Sequence, residues 1–488
     1  MSEATTDSIS DSRKFPILLW LLRPVVAIPL VIMVLIVAAP IVYRSMQFRG
    51  IPPIDPIVDP EVDGRVVLPV DENAFTFYRR ASGMHPVVSG SIADGAGVAA
   101  IDRGENWSVV PSDVRDHLEK CQSALGTWKL GTEVDDGHYL DVADFDYSTL
   151  LPVVQDLRRF SRLAVLQMLR CQDEGKTDEA WGWLRASLRS SRHAGKHGVA
   201  IERLVGTSIH NQTARAIVHW AAQNEVSSEQ LSEALADVRE IYRLTPATSA
   251  TMKAEAILAA NTLKDPHKSS LLLPKSSGIP HGLMRAYLFL KGDPELGREL
   301  TRHVFANYLS QCDLRPSDRV LAIARLGLYR PTGKEVPHLM DPARLSDAVM
   351  NSPIVWHLVA AQGQIIMACD LERSCQTALD LCILFEMYRR QHGDYPESIN
   401  ALVPEFVAEV PRDWLGTSTS EKMLCVSGKK ELTSDDPNAP IVVRPCLIIY
   451  GRGRVAGDGG GDLSYDNDVG LRILLPHAVR EEERPKLN

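Results

Sequence analysis

The residues best equipped to bind something sit in the segment Gly457-Asp458-Gly459-Gly460-Gly461-Asp462, continued by Asp466, Asn467 and Asp468. Hard cations such as Ca²⁺ gather several oxygen ligands from acidic loops of this kind. Asp458, Asp462, Asp466 and Asp468 are therefore the candidate Ca²⁺ ligands, and Ca²⁺ is the one cofactor the residues suggest. The EF-hand template does not fit, because Val469 stands at the twelfth position counted from Asp458. The competing reading, and the commoner one, is a polar turn in which Gly supplies positive φ and Asp bonds nearby backbone.

Cys425 and Cys446 lie on segments expected to pair as strands, so a disulfide between them is the candidate cross-link if the body is exported. Cys369, Cys375 and Cys382 have the wrong spacing for a zinc knuckle and read as small buried apolar residues. His193 and His197 stand four apart on an expected helix and could share a metal, but zinc needs a further protein ligand and no Glu beside His193 completes the protease pattern. Asp135, Asp136, Asp141, Asp144 and Asp146 form an acidic patch whose ordinary roles are helix capping and solvated surface. Gly451, Gly453 and Gly457 miss the dinucleotide-binding spacing by one residue, with no helix to follow. The sequence has no Gly-x-Ser-x-Gly elbow and no phosphate-binding loop with Lys. No catalytic residue is assigned.

The elements that would carry these groups follow from the pattern of apolar residues. The chain has 488 residues, is 45% hydrophobic and 24% charged, and carries a formal charge of −9. This is an ordinary globular composition, and its acidity speaks against nucleic acid as a partner. Residues 1–23 form the N-terminal segment, expected to be cytoplasmic; its run Phe15 to Leu22 is also apolar, and Arg23 is placed at the membrane interface. All residues from Pro24 to Tyr43 lack charge, and as a helix they span roughly 30 Å, the thickness of a hydrocarbon core. Residues 24–43 are thus expected to be a single transmembrane helix, with the bilayer as its partner. Arg13, Lys14 and Arg23 precede it, and Arg44 and Arg49 follow, which favours an inner-membrane, single-pass protein with its body extracytoplasmic. The alternative is a cleaved signal peptide at Val37-Ala38-Ala39, disfavoured by Pro40.

Residues 44–70, with Pro52, Pro53, Pro56, Pro60 and Pro69, read as an extended spacer. Residues 71–343 read as a mostly helical body. A stripe from Leu150 to Cys171 has helical spacing, residues 172–177 turn around Gly175, and Thr177 is placed to cap the next helix. A further helix is expected at 200–223, and Ser227 with Gln230 makes a capping box stapled by Val226 and Leu231. Residues 84–147 give no clean pattern. Residues 344–478 read as a long helix over 372–392, stopped by Gly393, followed by strands at 422–427, 441–450 and 470–475. Residues 479–488 are a charged tail. The fold class is mainly α, with a small C-terminal α+β unit of one helix against a short antiparallel sheet.

In that unit, Leu381–Gly416, with Gly393-Asp394-Tyr395-Pro396 and Leu402-Val403-Pro404, followed by Cys446–Asp462, resembles the globular domain of type II secretion pseudopilins of the G kind. The resemblance implies a Ca²⁺-binding loop near the Gly/Asp segment. The same tail, an Asn-Ala…Tyr-Arg-Arg-Ala stretch as at Asn73 to Ala81, and a helical middle occur together in large planctomycete-type membrane proteins, which the chain resembles over most of its length. The pseudopilin processing motif is absent, and the apolar segment lies far upstream of Gly393, so filament assembly does not carry over. The expected function is a membrane-anchored, non-catalytic scaffold or protein-interaction module with unnamed protein partners. The alternatives are a membrane-bound hydrolase with its site in 84–147, and an accessory part of a secretion or pilus-like machine.

Overall fold

The computed structural model describes residues 24–48, 50–52, 54, 68–85, 91–265, 282–283, 293–331, 339–416, 418, 421–432, 442–452, 460–463 and 468–475. Residues 1–23, most of the Pro-rich spacer and the tail 479–488 lie outside them. The fold is mainly helical with a small antiparallel sheet, as the pattern of apolar residues predicts.

Helix α1 covers Pro24–Phe48, and its apolar side chains stay outside the packed interior: Met33 is 59% and Ile36 64% exposed. Among the described residues, however, the stretch long and apolar enough to cross a membrane is Ile354–His392, and the N-terminal one counts as a shorter apolar helix, Ala27–Ala39. The expectation of a single N-terminal span at 24–43 is not supported on that criterion. Ile354–His392 has its own reason to be apolar. Its Leu379, Leu381, Ile383 and Phe385 are fully buried in protein, and buried Asp370, Glu372 and Glu386 interrupt it.

The body is built from helices packed in sequence order. α2 (Ala74–Met84) falls where residues 72–82 suggest a short helix, and α3 (Ser91–Arg103) and α4 (Ser112–Thr132) lie in the region 84–147 that shows no clean pattern. α5 (Pro152–Asp173) starts with Pro at its first turn, where a missing N–H is harmless, and buries Val154, Leu157, Phe160, Ala164, Met168 and Cys171 as one stripe. Gly175, at φ +71°, turns the chain into α6 (Thr177–His193). The N-cap there is Lys176, not Thr177. Thr177 is the first helical residue, and its hydroxyl accepts the Gln230 side-chain N–H at 2.8 Å.

α7 (Ala200–Ala221) is followed by α8 (Ser228–Arg243), which opens with the expected capping box: Gln230 N–H donates to Ser227 Oγ at 3.1 Å, and Ser227 N–H to Gln230 Oε1 at 2.9 Å. Val226 and Leu231 are both fully buried beside it. α9 (Thr248–Lys264), α10 (Asp293–Leu309), α11 (Pro342–Met350) and α12 (Pro353–Val359) enclose a second core around Phe305 and Tyr308. A two-stranded hairpin, β1 (Leu321–Ile323) with β2 (Leu328–Tyr329), interrupts this region.

The long helix α13 runs over Gln362–His392 and ends at Gly393 with φ +88°. It packs on the sheet β3 (Leu424–Leu432), β4 (Val442–Gly451), β5 (Val469–Leu474), whose order is β3-β4-β5. Leu447, Ile449, Leu471 and Ile473 face the helix. The same core takes in Leu184 and Leu188 of α6, Ile217 and Trp220 of α7, and Leu231 and Val238 of α8. The expected division at 343/344 therefore cuts through one shared interior. At its end α13 grips α7: Arg390 donates to the Ala221 carbonyl at 3.2 Å and Arg389 to the Ala222 carbonyl at 3.2 Å. Cations at these carbonyls oppose the negative end of the α7 dipole.

Candidate functional site

The structure separates most of the residues singled out in the sequence. Of the candidate Ca²⁺ ligands, Asp458 and Asp466 lie outside the described residues. Asp462 and Asp468 close a turn instead: the Asp468 carboxylate accepts the Gly461 N–H at 2.7 Å, and the Asp468 N–H donates to the Asp462 carbonyl at 2.8 Å. Gly460 and Gly461 both have positive φ, the turn chemistry of the competing reading.

Cys425 and Cys446 do not form a disulfide. In the β3–β4 register Cys425 stands opposite Ile449 and Cys446 opposite Gly428. Directly opposed residues share a face. Cys425 thus joins the face packed on α13, while Cys446 sits in the cluster on the other side with Ile448 and Tyr450. Both are free thiols.

His193 and His197 part company as well. His193 Nδ1 meets the Tyr78 hydroxyl at 2.6 Å in the interior, and burial pushes its pKa down to about 3. His197 Nε2 lies 2.8 Å from Asp136. Burial alone would raise the Asp136 pKa, but the His197 contact and the Gly137 N–H hold it well below the ordinary range. The other patch members serve locally: Asp141 accepts the Ala143 N–H at 2.9 Å, Asp146 accepts the Ser148 N–H at 2.7 Å, and Asp135 faces Arg189 at 3.3 Å.

The fold assembles a cleft of about 790 Å³ that the sequence did not announce. It lies between the end of α3, the last turns of α7 and the sheet. Arg103, Arg215, Lys430, Arg444 and Arg472 line it, against the carboxylates of Asp102 and Glu225. Strand register brings the sheet cations together: Lys430 stands directly opposite Arg444, and Arg472, opposite Ile448, lies on the same face. Like charges directly opposed on a sheet repel. Asp102 answers part of this repulsion, with Arg215 at 3.1 Å and Lys430 at 3.9 Å. Arg103 is paired with Glu105 at 2.7 Å.

Among the described residues, Arg444 donates to the Gly104 carbonyl, at 3.4 Å. Gly104 has φ +65°, and a Cβ there would come within 2.8 Å of the Arg444 guanidinium, so glycine keeps this corner open. Arg472 makes no hydrogen bond or ion pair among the described residues. Burial lowers the Lys430 pKa, Asp102 raises it, and Arg472 lowers it again. His219, four residues after Arg215, is driven down to about 4 by burial and by Arg444, so it is neutral at pH 7 and adds no charge. The cleft carries an excess of positive charge on a chain of net charge −9. Among the described residues, no Ser, Thr, Cys or Tyr lines it.

A second cavity, about 1030 Å³, opens between the starts of α5, α7 and α13 and the middle of α9. Its walls include Phe145, Leu150, Leu151, Ile201, Leu258 and Ile365. Glu255 lies in its floor, its carboxylate accepting the Ala200 N–H at 2.8 Å and a Gln362 side-chain N–H at 3.1 Å. Burial raises the Glu255 pKa against these two bonds. Burial also pushes nearby Glu202 up to about 7, although the Val199 N–H donates to it at 2.9 Å. The cavity walls are largely apolar, whereas the cleft is lined by cations.

No protein-family model matches this chain, and neither a curated protein nor a solved structure shows significant similarity to it.

Proposed function

We propose that the chain is a membrane-associated, non-catalytic binding protein whose body captures a small anionic group, a carboxylate or phosphate, in the cleft between α3, α7 and the C-terminal sheet. The observation that carries this reading is the cross-strand pair Lys430–Arg444 with Arg472 on the same face, three cations from three strands, of which Lys430 alone lies beside the Asp102 carboxylate. An anion seated among them would relieve their mutual repulsion and gain charge-assisted hydrogen bonds.

Membrane association would come through α1. Its apolar side chains are exposed, while the other long apolar stretch, Ile354–His392, is used up in the protein interior. In this reading the N-terminal segment lies inside an inner membrane and the body outside.

Inorganic phosphate and citrate are the probes, titrated by calorimetry into the full-length protein at low ionic strength. Binding is expected, weakening steeply with salt. Arg472→Ala is expected to weaken it about 10–100-fold, the worth of one hydrogen bond between charged partners, without loss of thermal stability. Absence of heat from both anions, or unchanged affinity in the variant, would contradict the cleft assignment. The tether is tested by fractionation. The intact chain should pellet with membranes and a variant lacking residues 24–48 should not; an intact chain found in the supernatant refutes it.

A further inference from the structure

A group of donors outside the cleft points to a metal. His117 and Cys121 are four residues apart on α4, which sets both on one helix face. His85 is the residue that ends α2, its N–H bonded to the Ser82 carbonyl. α2 can approach α4 because Gly131 has no side chain: a Cβ there would come within 2.8 Å of Phe77 and Tyr78. The approach brings the donor atoms together. Cys121 Sγ lies 3.8 Å from His85 Nε2 and 3.7 Å from His117 Nε2, and the three ligand atoms all fall within 4.8 Å of one another. The histidine rings stand at 70° to each other with centroids 5.9 Å apart, and the His85 ring is held edge-on against Phe160 at 5.6 Å.

We propose that His85, His117 and Cys121 bind a zinc-type divalent cation. Geometry is the first support. With Zn–S of about 2.3 Å and Zn–N of about 2.0–2.1 Å, a tetrahedral centre puts sulfur and nitrogen about 3.6 Å apart. The spacings of 3.7 and 3.8 Å already match this to within small side-chain shifts. Donor chemistry is the second. Two imidazoles and one thiolate suit zinc and copper, whereas Ca²⁺ and Mg²⁺ require oxygen ligands. The competing account is a hydrogen-bonded thiol. A thiol can donate its proton to one ring and accept only weakly from the other, while a cation takes a lone pair from all three donors. Cys121 is fully buried and His117 only 6% exposed, a setting in which a metal is shielded from water on the protein side. Such a centre would lock α2 and α4 into one arrangement.

The test uses the full-length protein in detergent, stripped with a chelator and titrated with Co²⁺ as a spectroscopic probe. One equivalent of Co²⁺ should produce the visible bands of tetrahedral cobalt and a near-ultraviolet thiolate-to-cobalt charge-transfer band, and Zn²⁺ should displace it. Cys121→Ser should lose the charge-transfer band. His85→Gln, at the half-buried rim of the group, should keep the fold by circular dichroism and weaken affinity at least ~10–100-fold. A Cys425→Ser control should behave like the parent. The proposal fails if the parent shows no charge-transfer band, or if the band survives in Cys121→Ser. If Cys121→Ser does not fold, His85→Gln decides: unchanged Co²⁺ affinity there overturns the proposal.

Discussion

Replacing Glu372 by Gln should remove about 3–5 kcal/mol of folding stability, because it breaks a buried ion group and leaves two guanidinium charges without their partner. Glu372 is 0% exposed and is held by Arg192 from α6 and Arg203 from α7, both fully buried. Thr207 adds a hydroxyl at 3.3 Å, and Arg192 is further fixed by Thr245 Oγ1 at 2.9 Å. Burial alone would raise the Glu372 pKa, but the charges of Arg192 and Arg203 outweigh it and hold the carboxyl well below its ordinary range. His210, next to this group, is kept neutral by burial and by Arg192, with a pKa pushed down to about 4.

The sign of the pH effect follows. A carboxyl whose folded pKa is depressed adds stability above its unfolded value, roughly 4.3, and loses that contribution as pH falls toward the folded value. Urea unfolding at pH 7 should show the full loss in Glu372→Gln. The difference between parent and variant should shrink as the solution is taken from about pH 5 toward acid. A loss below about 1 kcal/mol at pH 7 would mean that the two arginines find other partners at little cost.

The second large effect is expected at Gly195, which turns the chain between α6 and α7 and so sets Arg192 and Arg203 on either side of Glu372. Its φ is +75°, and a Cβ would lie 2.4 Å from the Arg203 amide nitrogen and 2.5 Å from its Cα. Gly195→Ala should cost about 2–4 kcal/mol, with about 1–2 from the left-handed backbone and the rest from displaced main chain. Gly175→Ala is the matched comparison: its φ is +71°, but nothing lies within 4 Å of a Cβ there. It should lose only the backbone part. Equal losses in the two variants, measured by thermal or urea unfolding, would show that the Arg203 backbone yields freely.

Elements with local signals were legible in the sequence. The capping box at Ser227 and Gln230, the stop at Gly393 and the alternation in β4 each depend on residues close together in the chain. α3 and α4 were not legible for the opposite reason. Gly95 and Gly97 weaken the helical pattern of α3, yet Gly97 is there so that α3 can lie against Leu166, which a Cβ would touch at 2.9 Å. The α4 stripe runs through His117 and Cys121, residues read as polar or reactive before they are read as core. The sites were the least legible. Arg215 reaches Asp102 and the sheet only through tertiary packing, and the cation row depends on strand register, which no single strand encodes. Register also undid the Cys425–Cys446 pairing: Cys446 pairs with Gly428, an odd number of residues from Cys425, which puts the two thiols on opposite faces. The His117–Cys121 spacing carried a signal, but its third member, His85, comes from another helix.

The grip of α13 on α7 also bears on how the chain is made. α7 ends at Ala221 and α13 at His392, so a gap of about 170 residues separates their emergence from the ribosome. At roughly 5–20 residues per second the earlier helices wait on the order of 10–30 s for the segment that completes their interior. During that interval Trp220, Ile217 and Leu184 lack the surface that later buries them, and Arg192 and Arg203 lack their carboxylate. Chains truncated before Gln362 are therefore expected to expose this apolar surface and to be cleaved faster than the full chain in limited proteolysis.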